Sequence, residues 1–196
     1  NTAVGATTVY NNATGAGNTG LGLGVLYTNT NGSGNTGVGS NALYHSTGSY
    51  NTAGGTNAMF FNTSGTGNTV YGYNGLVTNS TGNYNVAIGY GSQYNNTGSQ
   101  SVAVGSYSMY SNTTGYANVA VGDSSLYAST TSIGNTAVGY RSMRNDNGTF
   151  ANTAYGYQSL LSLSNGSFNT ALGFRALESA NSNHNTAVGY TALNAN

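Results

Sequence analysis

Apolar and polar positions recur along this chain with a period of 16 or 17 residues. A motif close to Asn-Thr-Ala-Val-Gly begins at Asn1, Asn18, Asn35, Asn51, Asn68, Asn85, Ser101, Asn118, Asn135, Asn152, Asn169 and Asn185. Eight of the intervals are 17 residues and three are 16, so eleven full units and a truncated twelfth cover residues 1–196 as one array. Within a unit, position 1 is Asn, with Ser101 the one substitute, and position 2 is always Thr or Val. Position 3 is small except at Val70, position 4 is mostly apolar except at Gly54, and position 5 is Gly throughout. Position 9 is Leu, Met or Val in all units but one, which carries Gln93. Positions 11 to 15 form a run of Asn, Thr, Ser and Gly.

This pattern predicts a short strand over positions 1 to 5, because β-branched residues alternate there with small ones and a Gly closes the run. The Asn/Thr/Gly run predicts a turn. Positions 6 to 10 are too short for a helix of their own, and a second short strand is the favoured assignment over a single helical turn. One unit buries too little to offset the ordering of its backbone, so the units must stack. The expected fold is therefore all-β, a parallel β-solenoid or β-roll of twelve coils. At about 4.8 Å per coil it forms an elongated rod of roughly 55–60 Å.

Stacking turns each position into a column. The Asn column predicts a side-chain amide ladder through Asn1, Asn18, Asn35, Asn51, Asn68, Asn85, Asn118, Asn135, Asn152, Asn169 and Asn185, each NH₂ donating to the neighbouring coil. Positions 2 and 4 share one strand face, and the expectation is that they point into the coil with position 9. Ala3, Gly5 and their columns would then face outward as a smooth strip for a lateral contact between chains, a threefold arrangement being one form of it. The competing reading is that the small residues line a core too thin for larger ones.

Composition narrows the function classes. Charged residues make up 3% of the chain and the formal net charge is zero, which leaves no field to attract nucleic acid or an anionic membrane. There is no Cys, no long apolar run and no Pro, and the first residue is Asn rather than Met. Together with the absence of an evident capping unit, this reads as a segment of a longer fibre or one that stacks end to end.

The runs Asn135-Thr136-Ala137-Val138-Gly139-Tyr140 and Asn185-Thr186-Ala187-Val188-Gly189-Tyr190-Thr191-Ala192-Leu193 look like the repeats of bacteriophage tail-fibre shafts and related surface proteins. Asn85-Val86-Ala87-Ile88-Gly89 and Ser101-Val102-Ala103-Val104-Gly105 resemble, more loosely, the head repeats of trimeric autotransporter adhesins. The latter resemblance implies a trimeric left-handed parallel β-roll used for attachment. The unit here is a few residues longer than the adhesin repeat.

No constellation points to catalysis or to a cofactor. Gly15-Ala16-Gly17-Asn18-Thr19-Gly20 and Gly32-Ser33-Gly34-Asn35-Thr36-Gly37 fit a dinucleotide pattern, but each precedes a strand and recurs at the repeat period. Asp123, Asp146 and Glu178 fall at three different unit positions, and His45 and His184 lie about eight coils apart. Arg144 and Glu178 share position 10 two coils apart, which suggests a weak surface pair. The aromatic residues are more informative: position 10 holds Tyr10, Tyr27, Tyr44, Phe60, Tyr94, Tyr110 and Tyr127, and position 6 takes over in later coils. Stacked rings would brace the flank, and the six tyrosines are also candidate glycan contacts. Asn12, Asn31, Asn62, Asn79, Asn95, Asn112, Asn147 and Asn165 open Asn-x-Ser/Thr sequons in or next to the turn, where exposure is expected. The expected function is a non-enzymatic extracellular, cell-surface or virion fibre segment that partners itself, with cell-surface glycans as a further candidate partner and no insertion into membrane. The alternatives are an ice-binding solenoid using the Thr column and a carbohydrate-binding solenoid using the Tyr columns.

Overall fold

The structure is a computed structural model that describes residues 1–163, 165–179 and 181–194. Each unit contributes one three-residue strand: β1 (Thr2–Val4), β2 (Thr19–Leu21), β3 (Thr36–Val38), β4 (Thr52–Gly54), β5 (Thr69–Tyr71), β6 (Val86–Ile88), β7 (Val102–Val104), β8 (Val119–Val121), β9 (Thr136–Val138), β10 (Thr153–Tyr155), β11 (Thr170–Leu172) and β12 (Thr186–Val188). They pair in parallel, in chain order, as one twelve-stranded sheet, which makes the chain a β-solenoid. Equivalent residues face each other even across the shorter units, as in Thr36↔Thr52 and Val86↔Val102. The missing residue of a 16-residue unit falls in the turn (Ser46-Thr47-Gly48 against Asn62-Thr63-Ser64-Gly65), where it leaves the strand register untouched.

The strand faces are the reverse of the expected ones. The position 3 column (Ala53, Ala87, Ala103, Ala120, Ala137, Ala154, Ala171) lines the coil interior at 0–1% exposure, while positions 2 and 4 point outward. The outward Ala3/Gly5 strip therefore does not exist. The reason is thickness: the segment opposite the strand lies so close that only Ala, Gly or one Val fits beneath it. Volume is conserved across that gap. Gly20 sits opposite Val25, whose Cγ1 would be 3.3 Å from an added Cβ, and Val70 sits opposite Gly75, where an added Cβ would be 2.7 Å from Val70 Cγ1. Val70, the one large residue of its column, is thus matched by the one Gly of the facing column. Leu26, Leu43, Met59, Leu76, Met109, Leu126, Met143, Leu160 and Leu177 of position 9 supply nearly all the remaining apolar bulk.

The expected second strand over positions 6 to 10 is also absent. Positions 7 and 9 adopt positive φ in coil after coil (Asn57 at 56°, Met59 at 55°, Asn74 at 54°, Leu76 at 48°), which no extended strand allows. Coil-to-coil hydrogen bonds persist without it. Gly24 N–H donates to Ala6 C=O of the preceding coil at 3.0 Å, and Leu26 N–H to Ala42 C=O of the following coil at 3.1 Å. Left-handed backbone costs a non-glycine residue about 1–2 kcal/mol. It persists here because stacking over-determines the conformation from both sides.

Half of the interior is polar. From Asn18 to Asn169 the position 1 Asn residues are buried, and from Asn1 to Asn169 the side-chain Oδ1 accepts the backbone N–H of the next coil's first residue, as in Asn35 to Asn18 (2.9 Å) and Asn85 to Asn68 (2.9 Å). Their Nδ2 groups donate across the coil to a turn carbonyl, as in Asn18 to Gly32 (2.8 Å). Amide-to-amide bonds, such as Asn68 Nδ2 to Asn51 Oδ1 at 3.2 Å, are added at some steps only. A second buried column stands at position 12, where Asn29, Asn62, Asn79, Asn96 and Asn112 bond both the turn carbonyl and the neighbouring coil. Two exceptions to the repeat pattern, Gln93 and Ser101, sit together. Gln93 enters the interior beside Ser101, donating to Val86 C=O (3.1 Å) and Ser101 C=O (3.2 Å) and accepting from Asn96 (2.8 Å).

Asp146 occupies the position 12 column, fully buried, where Thr149 Oγ1 donates to Oδ1 and Asn135 Nδ2 approaches Oδ2 at 3.4 Å. Burial raises its pKa above the ordinary carboxyl range, and hydroxyl bonds from Ser132 and Thr149 offset part of that rise. A raised folded-state pKa means that stability is complete below the ordinary Asp range and is lost as pH climbs through the raised value. Replacing Asp146 by Asn restores the column's usual amide. Urea unfolding as a function of pH is expected to show wild-type stability falling towards neutrality, and Asp146→Asn flat and about 1–3 kcal/mol more stable at pH 7.

Candidate functional site

Two surfaces present ordered rows of side chains that the interior does not consume. The first is the outer strand face. Position 2 presents Thr in nine coils and Val in β6, β7 and β8, and position 4 presents an apolar row along the whole sheet. Leu21, Val38 and Leu172 are 48%, 43% and 45% exposed in this row, so an apolar ridge, broken in coil 4 by Gly54, faces solvent.

The second surface is the aromatic flank. Rings at position 10 stack in two ladders. Tyr10, Tyr27, Tyr44 and Phe60 form the first, with centroids 4.9–5.4 Å apart and planes within 13° of parallel. Tyr94, Tyr110 and Tyr127 form the second, at 5.2 and 5.4 Å, and the Arg144 guanidinium closes it 4.9 Å from the Tyr127 centroid. The two are interrupted by Val77, the one aliphatic residue of the column in coils 1 to 8. At position 6, Tyr140, Tyr157, Phe174 and Tyr190 stack at 5.1–5.2 Å, and Arg141 sits 4.9 Å from the Tyr140 centroid. Because each ring covers its neighbour's face, the interior members of a ladder show solvent their edges rather than their faces. Burial, then the neighbouring phenols Tyr94, Tyr127 and Tyr90, hold the Tyr110 pKa above the ordinary range.

The ionisable residues do not converge. Asp123 is exposed and accepts from Ser124 Oγ at 2.8 Å, and Glu178 pairs with Arg175 at 3.2 Å within its own coil. The Arg144–Glu178 pair expected from their shared column does not form: Arg144 lies over Tyr127 instead. His45 stacks on Phe61 and His184 on Phe168, far apart along the rod. Among the described residues, no group of three or more His, Cys, Asp or Glu is placed to hold a metal, and no helix is long and apolar enough to cross a membrane.

The sequons divide into two sets. Asn31, Asn147 and Asn165 are exposed and Asn95 half-buried. Asn62, Asn79 and Asn112 are wholly buried, each donating at 2.9 Å to the glycine carbonyl three residues on, and Asn12 makes the same bond at 2.8 Å. The exposure expected of the turn fails there because position 12 belongs to the interior ladder. The signal was present in the sequence, since Asn occupies position 12 in six of the first seven units while position 11 varies there among Asn, Thr, His, Phe and Ser.

The chain matches no protein-family model, no curated protein and no solved structure. Its function is therefore argued from the two surfaces themselves.

Proposed function

We propose that this chain is a structural, non-enzymatic fibre segment, displayed extracellularly or on a virion, whose copies associate side by side through the outer strand face. The observation that supports this is the apolar position 4 row, unbroken by charge along the sheet and flanked by the Thr/Val row of position 2. Any occupant of that face must match ridges spaced by one coil over the length of the rod. A second copy of the chain carries the same spacing and the same apolar ridge, so its side chains interlock without register errors. The near absence of charge means that nothing opposes the approach of copies.

Light scattering of the purified protein is expected to give a mass of several chains. Val104→Glu combined with Val138→Glu places charges on the ridge and is expected to release single chains whose far-ultraviolet circular dichroism is unchanged. A wild-type protein that stays single-chain at high concentration would overturn the proposal. A second reading, ice binding, draws on the outward Thr column. It is weaker because Val86, Val102 and Val119 interrupt that column in three successive coils. Thermal hysteresis in a single-chain rod would favour it.

A further inference from the structure

We propose that the break in the ring ladder at Val77 is a binding slot for one saccharide ring. Phe60 is stacked on Tyr44 on one side only, and Tyr94 on Tyr110 on one side only, so both have an uncovered face directed towards coil 5. Two coil steps separate these rings, about 10 Å at the spacing of stacked strands, twice the separation of stacked neighbours elsewhere in the ladder. Val77 is buried at the base and does not reach as far out as a tyrosine ring. The result is an opening of about 340 Å³ lined by Phe60, Phe61, Val77, Tyr94, Asn57 and Asn74, a volume within the range of small-ligand sites.

The polar groups decide the chemistry of the occupant. Asn41, Asn57 and Asn74 form an amide ladder at position 7, in which Asn57 Nδ2 donates to Asn74 Oδ1 at 3.1 Å. It ends at Asn74, because the next coil has Gly91 at that position and offers no side chain to receive the Asn74 NH₂. A hydrocarbon ring would fill the slot and leave that amide without a partner. A pyranose satisfies both demands: its C–H faces lie against Phe60 and Tyr94, and its rim hydroxyls meet the Asn74 and Asn57 amides. A second hollow of about 200 Å³ shares Asn74 and Tyr94 and continues beside Tyr90 and Gly91, which allows the chain of an oligosaccharide to extend. The slot uses none of the side chains of the outer strand face, so it stands or falls apart from the fibre reading.

Saturation-transfer-difference NMR of the full chain with the methyl glycosides of glucose, galactose, mannose and N-acetylglucosamine tests this, with p-cresol as a planar aromatic probe. At least one glycoside is expected to receive saturation. Val77→Phe, which completes the ladder without removing any ring, is expected to abolish the signal. Asn74→Ala is expected to weaken affinity about tenfold, and it decides the matter should Val77→Phe fail to fold. The proposal is overturned if no glycoside binds, if binding survives in the folded Val77→Phe protein, if Asn74→Ala binds as tightly as the wild type, or if p-cresol alone binds.

Discussion

Replacing Asn68 by Ala is expected to destabilise the array by about 2–4 kcal/mol. Asn68 Oδ1 is the acceptor for the backbone N–H of Asn85 at 2.9 Å, its Nδ2 donates to Gly82 C=O at 2.9 Å, and the same amide reaches Asn51 Oδ1 at 3.2 Å. The losses are unequal. Gly82 C=O keeps the Asn79 amide and Asn51 Oδ1 keeps the Asn68 backbone N–H, so both remain bonded. Among the described residues the Asn85 N–H has no second acceptor, and its desolvation dominates the cost. Ser101 provides the internal control. Its shorter side chain still accepts the backbone N–H of Asn118, at 3.2 Å. Asn68→Ser should therefore lose less than Asn68→Ala. Urea unfolding ranks the variants, and amide hydrogen exchange locates the loss: Asn85 should exchange much faster in the Ala variant while amides several coils away keep their protection, because stacked coils open locally.

That prediction depends on a part of the structure that is legible in the sequence alone. A strict period with Asn at its head can be satisfied only by stacking, and stacking makes columns. What could not be read was which face of the strand points inward. Alternation pairs Thr2 with Val4 and Ala3 with Gly5, yet it does not say which pair is buried, and the ordinary rule of larger apolar residues inside gave the wrong pair. The rule fails because the coil is one strand backed closely by an irregular segment, so its interior admits Ala freely and Val only where the facing residue is Gly. The exceptions held the answer: Val70 with Gly75, and Gly20 with Val25, trade volume five residues apart, which only facing positions in one coil would do. Likewise the left-handed backbone leaves only a partial trace at position 7, where five of twelve units carry Asn or Gly and the rest Thr, Tyr, Ser, Arg or Gln, and none at position 9, which is mostly Leu or Met. Stacking, not local propensity, selects that backbone. Val77 was visible in the sequence as a missing ring, but only the bare faces of Phe60 and Tyr94 make the gap a site.

The glycine column at position 5 gives the largest expected effect, and two of its members separate its causes. Gly89 has φ +133°, and a Cβ added there would lie 2.5 Å from Gly105 O and 2.6 Å from Gly105 C of the next coil. Neither atom can withdraw, because Gly105 N–H is itself bonded to Ile88 C=O at 2.8 Å. Gly189 has nearly the same backbone, φ +128°, but no described coil is stacked beyond it, and its nearest neighbour would be Ala192 Cβ at 3.9 Å. Backbone strain alone costs on the order of 1–3 kcal/mol, and that is the whole expectation for Gly189→Ala. Gly89→Ala adds the collision of two backbones in mid-sheet, so its cost should exceed about 4 kcal/mol, beyond the usual range for a single substitution. In thermal unfolding followed by circular dichroism, Gly189→Ala should fray the last coil and leave the main transition nearly in place. Gly89→Ala should split the transition or abolish it, because the array is interrupted between β6 and β7. Equal effects would mean that the column is conserved in the repeat for its φ angle. Unequal effects in this order would mean that it serves the approach of one coil to the next, the step on which every other column in the solenoid depends.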